Sequence, residues 1–186
     1  MPEPEATPAF GKDAAREKAM KIVYLITTGG TIEKTYSEQK GEVSNSTSKI
    51  ERYLRLLRLP DLEVNLVPLL NKDSLDMTSA DRVLLLGMVR AISNEKAAIV
   101  ITHGTDTMIE SGLYLKRAMP DIKVPVALTG AMTPLGFEGS DGLQNLTESL
   151  LAVRFLSHGF YIVIHGQVFP VDQVAKDYAA SRFVWR

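Results

Sequence analysis

These 186 residues contain no cysteine, which excludes disulfides, thiolate metal sites and cysteine nucleophiles while leaving the redox compartment open. Histidine is scarce as well: three scattered residues with no H-x-H or H-x-x-x-H spacing, a poor basis for a metal centre. Neither sign of charge is in excess, with 21 Lys and Arg against 22 Asp and Glu, so nothing marks a nucleic-acid or anionic-membrane partner. No apolar run approaches the roughly 20 residues that cross a bilayer. Residues 1–20 lack the apolar stretch of a secretory signal and are too acidic for a typical transit peptide. The expectation is a polar N-terminal arm over residues 1–20, a single domain over residues 21–186, and a cytoplasmic location.

What is present is an ordinary globular composition, 45% apolar and 23% charged, with short apolar runs alternating with amphipathic ones. Strands are expected at 21–27, 62–69, 97–102, 124–129 and 160–165, the second towards an edge because Glu63 and Asn65 interrupt it. Helices are expected from Ile50 with Ser48 as cap, from a capping box at Thr78–Asp81, over 107–119 with Thr107 at cap spacing, and from Ser140 or Asp141. Residues 28–48 read as a long polar loop, unusual enough in a compact domain to suggest function, and 175–181 as a helical turn. Repeated strand–helix alternation points to an α/β fold with a mostly parallel sheet, though not to the order of its strands.

In such sheets ligands bind beyond the carboxyl ends of the strands. There the chain carries Gly29, Gly30 and Thr31; Lys72, Asp73, Ser74 and Asp76; His103, Gly104, Thr105 and Asp106; and Gly130, Ala131, Met132 and Thr133. Taken singly these are weak signals. Gly-Gly-Thr serves a tight turn or a phosphate cradle, Thr105-Asp106 serves a helix cap, and His103 reads as a hydrogen-bonded structural histidine. The dinucleotide fingerprint G-x-G-x-x-G and the P-loop are both absent.

The combination is more specific. Thr28-Gly29-Gly30-Thr31-Ile32, then Lys72-Asp73-Ser74-Leu75-Asp76-Met77, then Thr102-His103-Gly104-Thr105-Asp106-Thr107-Met108, then Thr129-Gly130-Ala131-Met132, with Ser140-Asp141-Gly142 after them, resembles the bacterial-type L-asparaginase family. The resemblance implies a three-layer α/β fold, its mostly parallel sheet flanked by helices on both faces, as in the N-terminal domain of L-asparaginases. It implies hydrolysis of L-asparagine to L-aspartate and ammonia, glutamine being a poorer substrate, with no metal or organic cofactor. Thr31 then resembles the nucleophile that forms an acyl-enzyme, and Tyr36 the tyrosine that closes over the substrate and assists it. Thr105 resembles the second catalytic threonine, Asp106 the acid that holds the substrate's α-ammonium, and Asp73 with Ser74 the clamp near its α-carboxylate. Gly30 belongs with the substrate-binding residues. Lys176 resembles the family's buried lysine, although the sequence before it departs from the usual pattern.

The chemistry suits those residue types. A threonine hydroxyl attacks only when a base takes its proton, and a lysine is such a base only when uncharged. Amides freed by Gly29, Gly30 or Gly104 are candidate oxyanion donors. Family members typically carry a second domain that contributes to a neighbouring subunit's site, so the chain resembles a short single-domain form, an isolated N-terminal fragment being the rival. A short form is still expected to assemble, as a homodimer or homotetramer. Leu75, where the family often has a polar residue, is expected to shift the asparagine–glutamine preference or weaken carboxylate binding. Two other functions are left open: a non-catalytic amino-acid- or nucleotide-binding module, and an amidase on a related amide in a biosynthetic or aminoacyl-tRNA pathway. The neutral charge balance does not support the RNA-linked version.

Overall fold

The computed structural model describes residues 21–37, 42–45, 49–93 and 97–186. The N-terminal arm and the Ser48 cap therefore lie outside the described residues. In chain order the strands are β1 (Ile22–Gly29), β2 (Lys34–Ser37), β3 (Glu42–Asn45), β4 (Glu63–Lys72), β5 (Ala97–Thr102), β6 (Pro125–Thr129), β7 (Gly159–Ile164), β8 (Gln167–Pro170), β9 (Val174–Asp177) and β10 (Arg182–Trp185). The helices are α1 (Ile50–Leu54), α2 (Ser79–Ile92), α3 (Met108–Ala118) and α4 (Gly142–Ala152).

Six strands form one sheet in the order β4-β1-β5-β6-β7-β8. The first five run parallel and β8 turns back antiparallel on β7. Every residue of β5 is buried, because an Ala-Ala-Ile-Val-Ile-Thr run in a central strand has apolar side chains for both faces. Ile99 and Ile101 enter one core with Leu85 and Val89 of α2 and Met108 and Leu115 of α3. Ala98 and Val100 enter the other with Ile50 of α1 and Leu146 and Leu150 of α4. The result is the expected three-layer architecture, and β4 is indeed at an edge.

Three expectations need correction. Residues 28–48 are not a featureless loop: Thr31–Glu33 is a 3-10 turn and β2 pairs antiparallel with β3, Lys34 opposite Asn45. Each of those strands has one apolar residue, so no alternating pattern advertised them. Residues 175–181 hold no helical turn; β9 pairs antiparallel with β10. Here the composition is ambiguous locally, and pairing with a strand farther along the chain decides it. His165, expected to end a strand, sits in the β7–β8 turn with φ 52° ahead of Gly166 at 72°, the left-handed pair that a two-residue hairpin needs.

Capping chemistry also divides. The Thr78–Asp81 capping box forms as expected. Thr107 precedes α3 without capping it, and its hydroxyl instead donates to the Ser74 carbonyl at 2.8 Å, tying two loops together. Asp141 occupies the N-cap position of α4, yet its carboxylate is engaged by the N–H groups of Met132 and Thr133.

Candidate active site

β1 and β5 are parallel neighbours in register, Thr27 beside Thr102, so the loops that leave them emerge side by side. The chain goes from β1 to one flank of the sheet (β4) and from β5 to the other (β6), which makes this the point where strand order reverses and a crevice opens. Gly30, at φ 79° and ψ −177°, adopts a conformation open essentially to glycine alone. A Cβ there would lie 2.4 Å from the Gly104 nitrogen, and one on Gly104 would lie 2.5 Å from Ser74 Oγ. Three loops thus meet where no side chain fits, and this close approach brings Thr31, Ser74 and Thr105 to one rim.

A fourth segment reaches that rim from far along the chain. Lys176, on β9, donates from Nζ to Thr105 Oγ1 at 2.8 Å and to Asp106 Oδ1 at 2.7 Å. Its side chain is 9% exposed, whereas that of Asp106 is 36% exposed. The Tyr178 ring lies beneath the same ammonium, 4.8 Å from its centroid, in cation–π range. An ammonium has donors only, so it occupies a lone pair of Thr105 Oγ1 and leaves the hydroxyl hydrogen free to point elsewhere.

The other expected residues are distributed as follows. Thr31 opens the 3-10 turn and is half-buried. Ser74 is 1% exposed and its Oγ has no hydrogen-bond partner among the described residues. An unpartnered hydroxyl suits a ligand contact, but only a group entering between these loops reaches it. Asp73 pairs with Lys34 at 2.7 Å and accepts the Leu75 N–H. Tyr36 lies on β2 opposite Val43, and its side chain is outside the described part of the structure.

Two residues at the rim were not anticipated. Glu33 is 2% exposed and its Oε2 accepts the Gly29 N–H at 2.9 Å, while the Gly30 N–H donates to the Lys72 carbonyl at 2.8 Å. Both amides are therefore engaged within the protein, and of the three expected oxyanion donors Gly104 is the one left. Lys34 was the other; an acid and a base directly after Thr31-Ile32 were the available signal.

Charge on the rim is balanced locally. The Lys34 hydrogen bond holds the Asp73 carboxyl below its usual range, against the opposing effect of burial. Lys72 does the same for Asp81, lowered to about 2 with help from the Thr78 N–H and hydroxyl. His103 is fully buried, its Nδ1 2.8 Å from the Gly104 oxygen, so Nδ1 carries the hydrogen and donates it. Burial lowers its pKa to about 4, the Arg82 charge adding to the shift and the Gly104 hydrogen bond opposing it. Its Nδ1 is hydrogen-bonded as expected from sequence, while its Nε2 is buried without a partner among the described residues. Burial by itself raises Asp141, but the Met132 and Thr133 N–H groups and His165 outweigh it and bring the carboxyl down. Among the described residues, no group of three or more His, Asp or Glu could hold a metal ion, and no helix is long and apolar enough to cross a membrane.

Comparison with known proteins gives the family. The family described as asparaginase, N-terminal, matches residues 22–183. The chain belongs to the asparaginase family. Within that family it is 34% identical to L-asparaginase 1 of Escherichia coli K12 over 167 residues, which is 86% of this chain and 48% of the relative. The solved thermostable L-asparaginase of Thermococcus kodakarensis superposes with a TM-score of 0.79 at 28% identity, covering 88% of this chain and 51% of that one. A further relative is a component of the glutamyl-tRNA(Gln) amidotransferase of Methanococcus vannielii, 28% identical over 153 residues, 80% of this chain and 35% of the relative. This asparaginase-family chain thus spans about half the length of the curated L-asparaginases it matches.

Proposed function

We propose that this chain is an amidohydrolase that converts L-asparagine to L-aspartate and ammonia through an acyl-enzyme on Thr31, with glutamine a poorer substrate. The observation that carries the reading is the Lys176 ammonium bonded to both Thr105 Oγ1 and Asp106 Oδ1 beside the Gly30–Thr31 turn. Thr31 Oγ attacks the side-chain amide carbon, and its proton leaves with the departing nitrogen. The C–N bond breaks only if that nitrogen is protonated. Thr105 is suited to relay that proton: its hydroxyl hydrogen, not held by Lys176, passes to the nitrogen while its oxygen takes the hydrogen from Thr31, and Lys176 holds the hydroxyl in place. Water then attacks the ester carbon, the Thr105 hydroxyl relays one water proton to Thr31 Oγ as the acyl C–O bond breaks, and Thr31 is released with the aspartate. Asp106 keeps a carboxylate oxygen for the substrate's ammonium while it orients Lys176. No step calls for a metal or cofactor. Tyr36 would assist Thr31 as the hairpin closes, which excludes bulk water until the amide is seated.

The test is ammonia release from asparagine and glutamine by the wild type and by Thr31→Ala, Thr105→Val and Lys176→Met. Turnover unaffected by Thr31→Ala refutes the acyl-enzyme. Asparagine binding without turnover in the wild type favours a binding module instead. The likeness to an amidotransferase component favours one second reading, an amidase on a different carboxamide; it predicts ammonia release from amides other than free asparagine. A homodimer or homotetramer in a cytoplasmic setting belongs to the same proposal, and light scattering on the purified chain measures the assembly.

A further inference from the structure

The loop expected to hold an α-carboxylate carries the wrong charge for that task. Between Lys72 and Met77 it contains Asp73 and an exposed Asp76, and its lysine is engaged elsewhere, Lys72 Nζ lying 2.9 Å from both oxygens of Asp81. Ser74 offers one unpartnered hydroxyl. Leu75, 72% exposed, offers no polar atom in its side chain. Asp73 directly precedes Ser74 in the chain, so an uncompensated carboxylate there would repel a substrate carboxylate at the Ser74 hydroxyl.

Lys34 changes that. It follows directly on the turn that begins with Thr31, and its Nζ is 2.7 Å from Asp73 Oδ2. Asp73 Oδ1 meanwhile accepts the Leu75 N–H at 3.1 Å, so both carboxylate oxygens are occupied by donors. Lys49 holds the base of this arrangement, donating from Nζ to the carbonyls of Lys34 and Leu135. The lysine and aspartate side chains are 28% and 30% exposed, too open for the pair to contribute much stability. Its effect is on the field at the rim.

We propose that Lys34 is a specificity-determining residue: by neutralising Asp73 across the first and second loops, it admits substrates that carry a free α-carboxylate next to Ser74. The pair also joins the nucleophile's loop to the clamp loop, so substrate charge is read next to the attacking hydroxyl. This rests on the amidohydrolase reading and adds to it the basis on which an amino-acid amide is preferred over a simple amide.

The experiment compares L-asparagine with β-alaninamide, which has the same amine and carboxamide but no α-carboxylate. Lys34→Met is expected to raise KM for asparagine roughly tenfold, the effect of one uncompensated charge a few ångströms away in a partly hydrated site. It should change kcat less than about threefold and leave KM for β-alaninamide near the wild-type value. Lys34→Met combined with Asp73→Asn should return KM for asparagine to within about threefold of wild type, because no charge then needs neutralising. Equal losses on both substrates, or no rescue by Asp73→Asn, overturn the proposal. Circular dichroism and a thermal melt confirm that each variant is folded. If the wild type releases ammonia from neither compound, the amidohydrolase reading fails. Calorimetric affinities for the same two compounds then decide the role of Lys34 on the same criteria, and binding of neither refutes it.

Discussion

Replacing Gly30 by alanine should damage the protein far more than one methyl group normally does. Two costs add. The backbone at φ 79° and ψ −177° is nearly closed to any residue with a Cβ, which costs about 1–3 kcal/mol. The methyl group itself would lie 2.4 Å from the Gly104 nitrogen and 2.6 Å from its Cα, both backbone atoms that no rotamer change can move aside. Restoring ordinary contact requires the first and third loops to separate by about 1 Å, an overpacking cost of about 1–3 kcal/mol. The sum, about 2–6 kcal/mol, should appear in urea unfolding followed by circular dichroism. The same separation moves Thr31 away from Thr105, and a misplacement of about 1 Å is worth roughly a hundredfold in rate. Ammonia release should therefore fall by about that factor in protein still folded. Gly87, in α2, is the control: a Cβ there meets nothing within 4 Å, so Gly87→Ala should stabilise by about 0.5–1 kcal/mol at unchanged activity. A Gly30→Ala variant with wild-type stability and wild-type kcat/KM would refute the claim that these loops are packed through their glycines.

Four further outcomes follow from the same geometry. Lys176→Met should lower kcat by about 10²–10⁴ with little loss of stability, because Asp106 is exposed enough to be solvated when its partner goes; parallel melts and ammonia assays check both halves. Arg82, 7% exposed, donates to Ser111 Oγ and the Met77 carbonyl and pairs with Glu110. Arg82→Ala leaves buried acceptors unsatisfied and should cost about 2–4 kcal/mol in denaturant titration. His103, with a folded pKa of about 4 against 6.5 unfolded, binds its proton less readily when folded. Its contribution is complete above pH 6.5 and is lost as pH falls towards 4, on the order of 3 kcal/mol; His103→Gln should flatten that part of the stability profile. Asp81 has the depressed carboxylate pattern, so its stabilisation is present above about pH 4 and disappears as pH falls towards 2, a slope that Asp81→Asn should remove.

Much of the fold was legible because burial on both faces leaves a composition that does not depend on partners. Ala97–Thr102 matches its expected limits, and Glu63 and Asn65 correctly marked β4 as an edge. The capping box at Thr78 was legible because both of its partners lie within one turn of chain. Legibility failed where a residue's partner was distant. Thr107 has the look of a cap but bonds to Ser74, and Val174–Asp177 is extended because Arg182–Trp185 pairs with it. Glu33 is not legible in the sequence because nothing local reveals that a carboxylate will fold back on the Gly29 N–H.

By itself, then, the sequence determined the α/β class, the edge position of β4 and the presence of hydroxyls and carboxylates at the strand exits. These depend on short-range periodicity and on which side chains water rejects. Only the tertiary structure decided that β1 and β5 are neighbours, that Gly30, Gly104 and Ser74 meet, and that Lys176 reaches Thr105 across 71 positions of chain. The physical reason is that strand order and loop contact are set by how two apolar faces are buried at once. That choice is made by the whole sheet, and no segment records it alone.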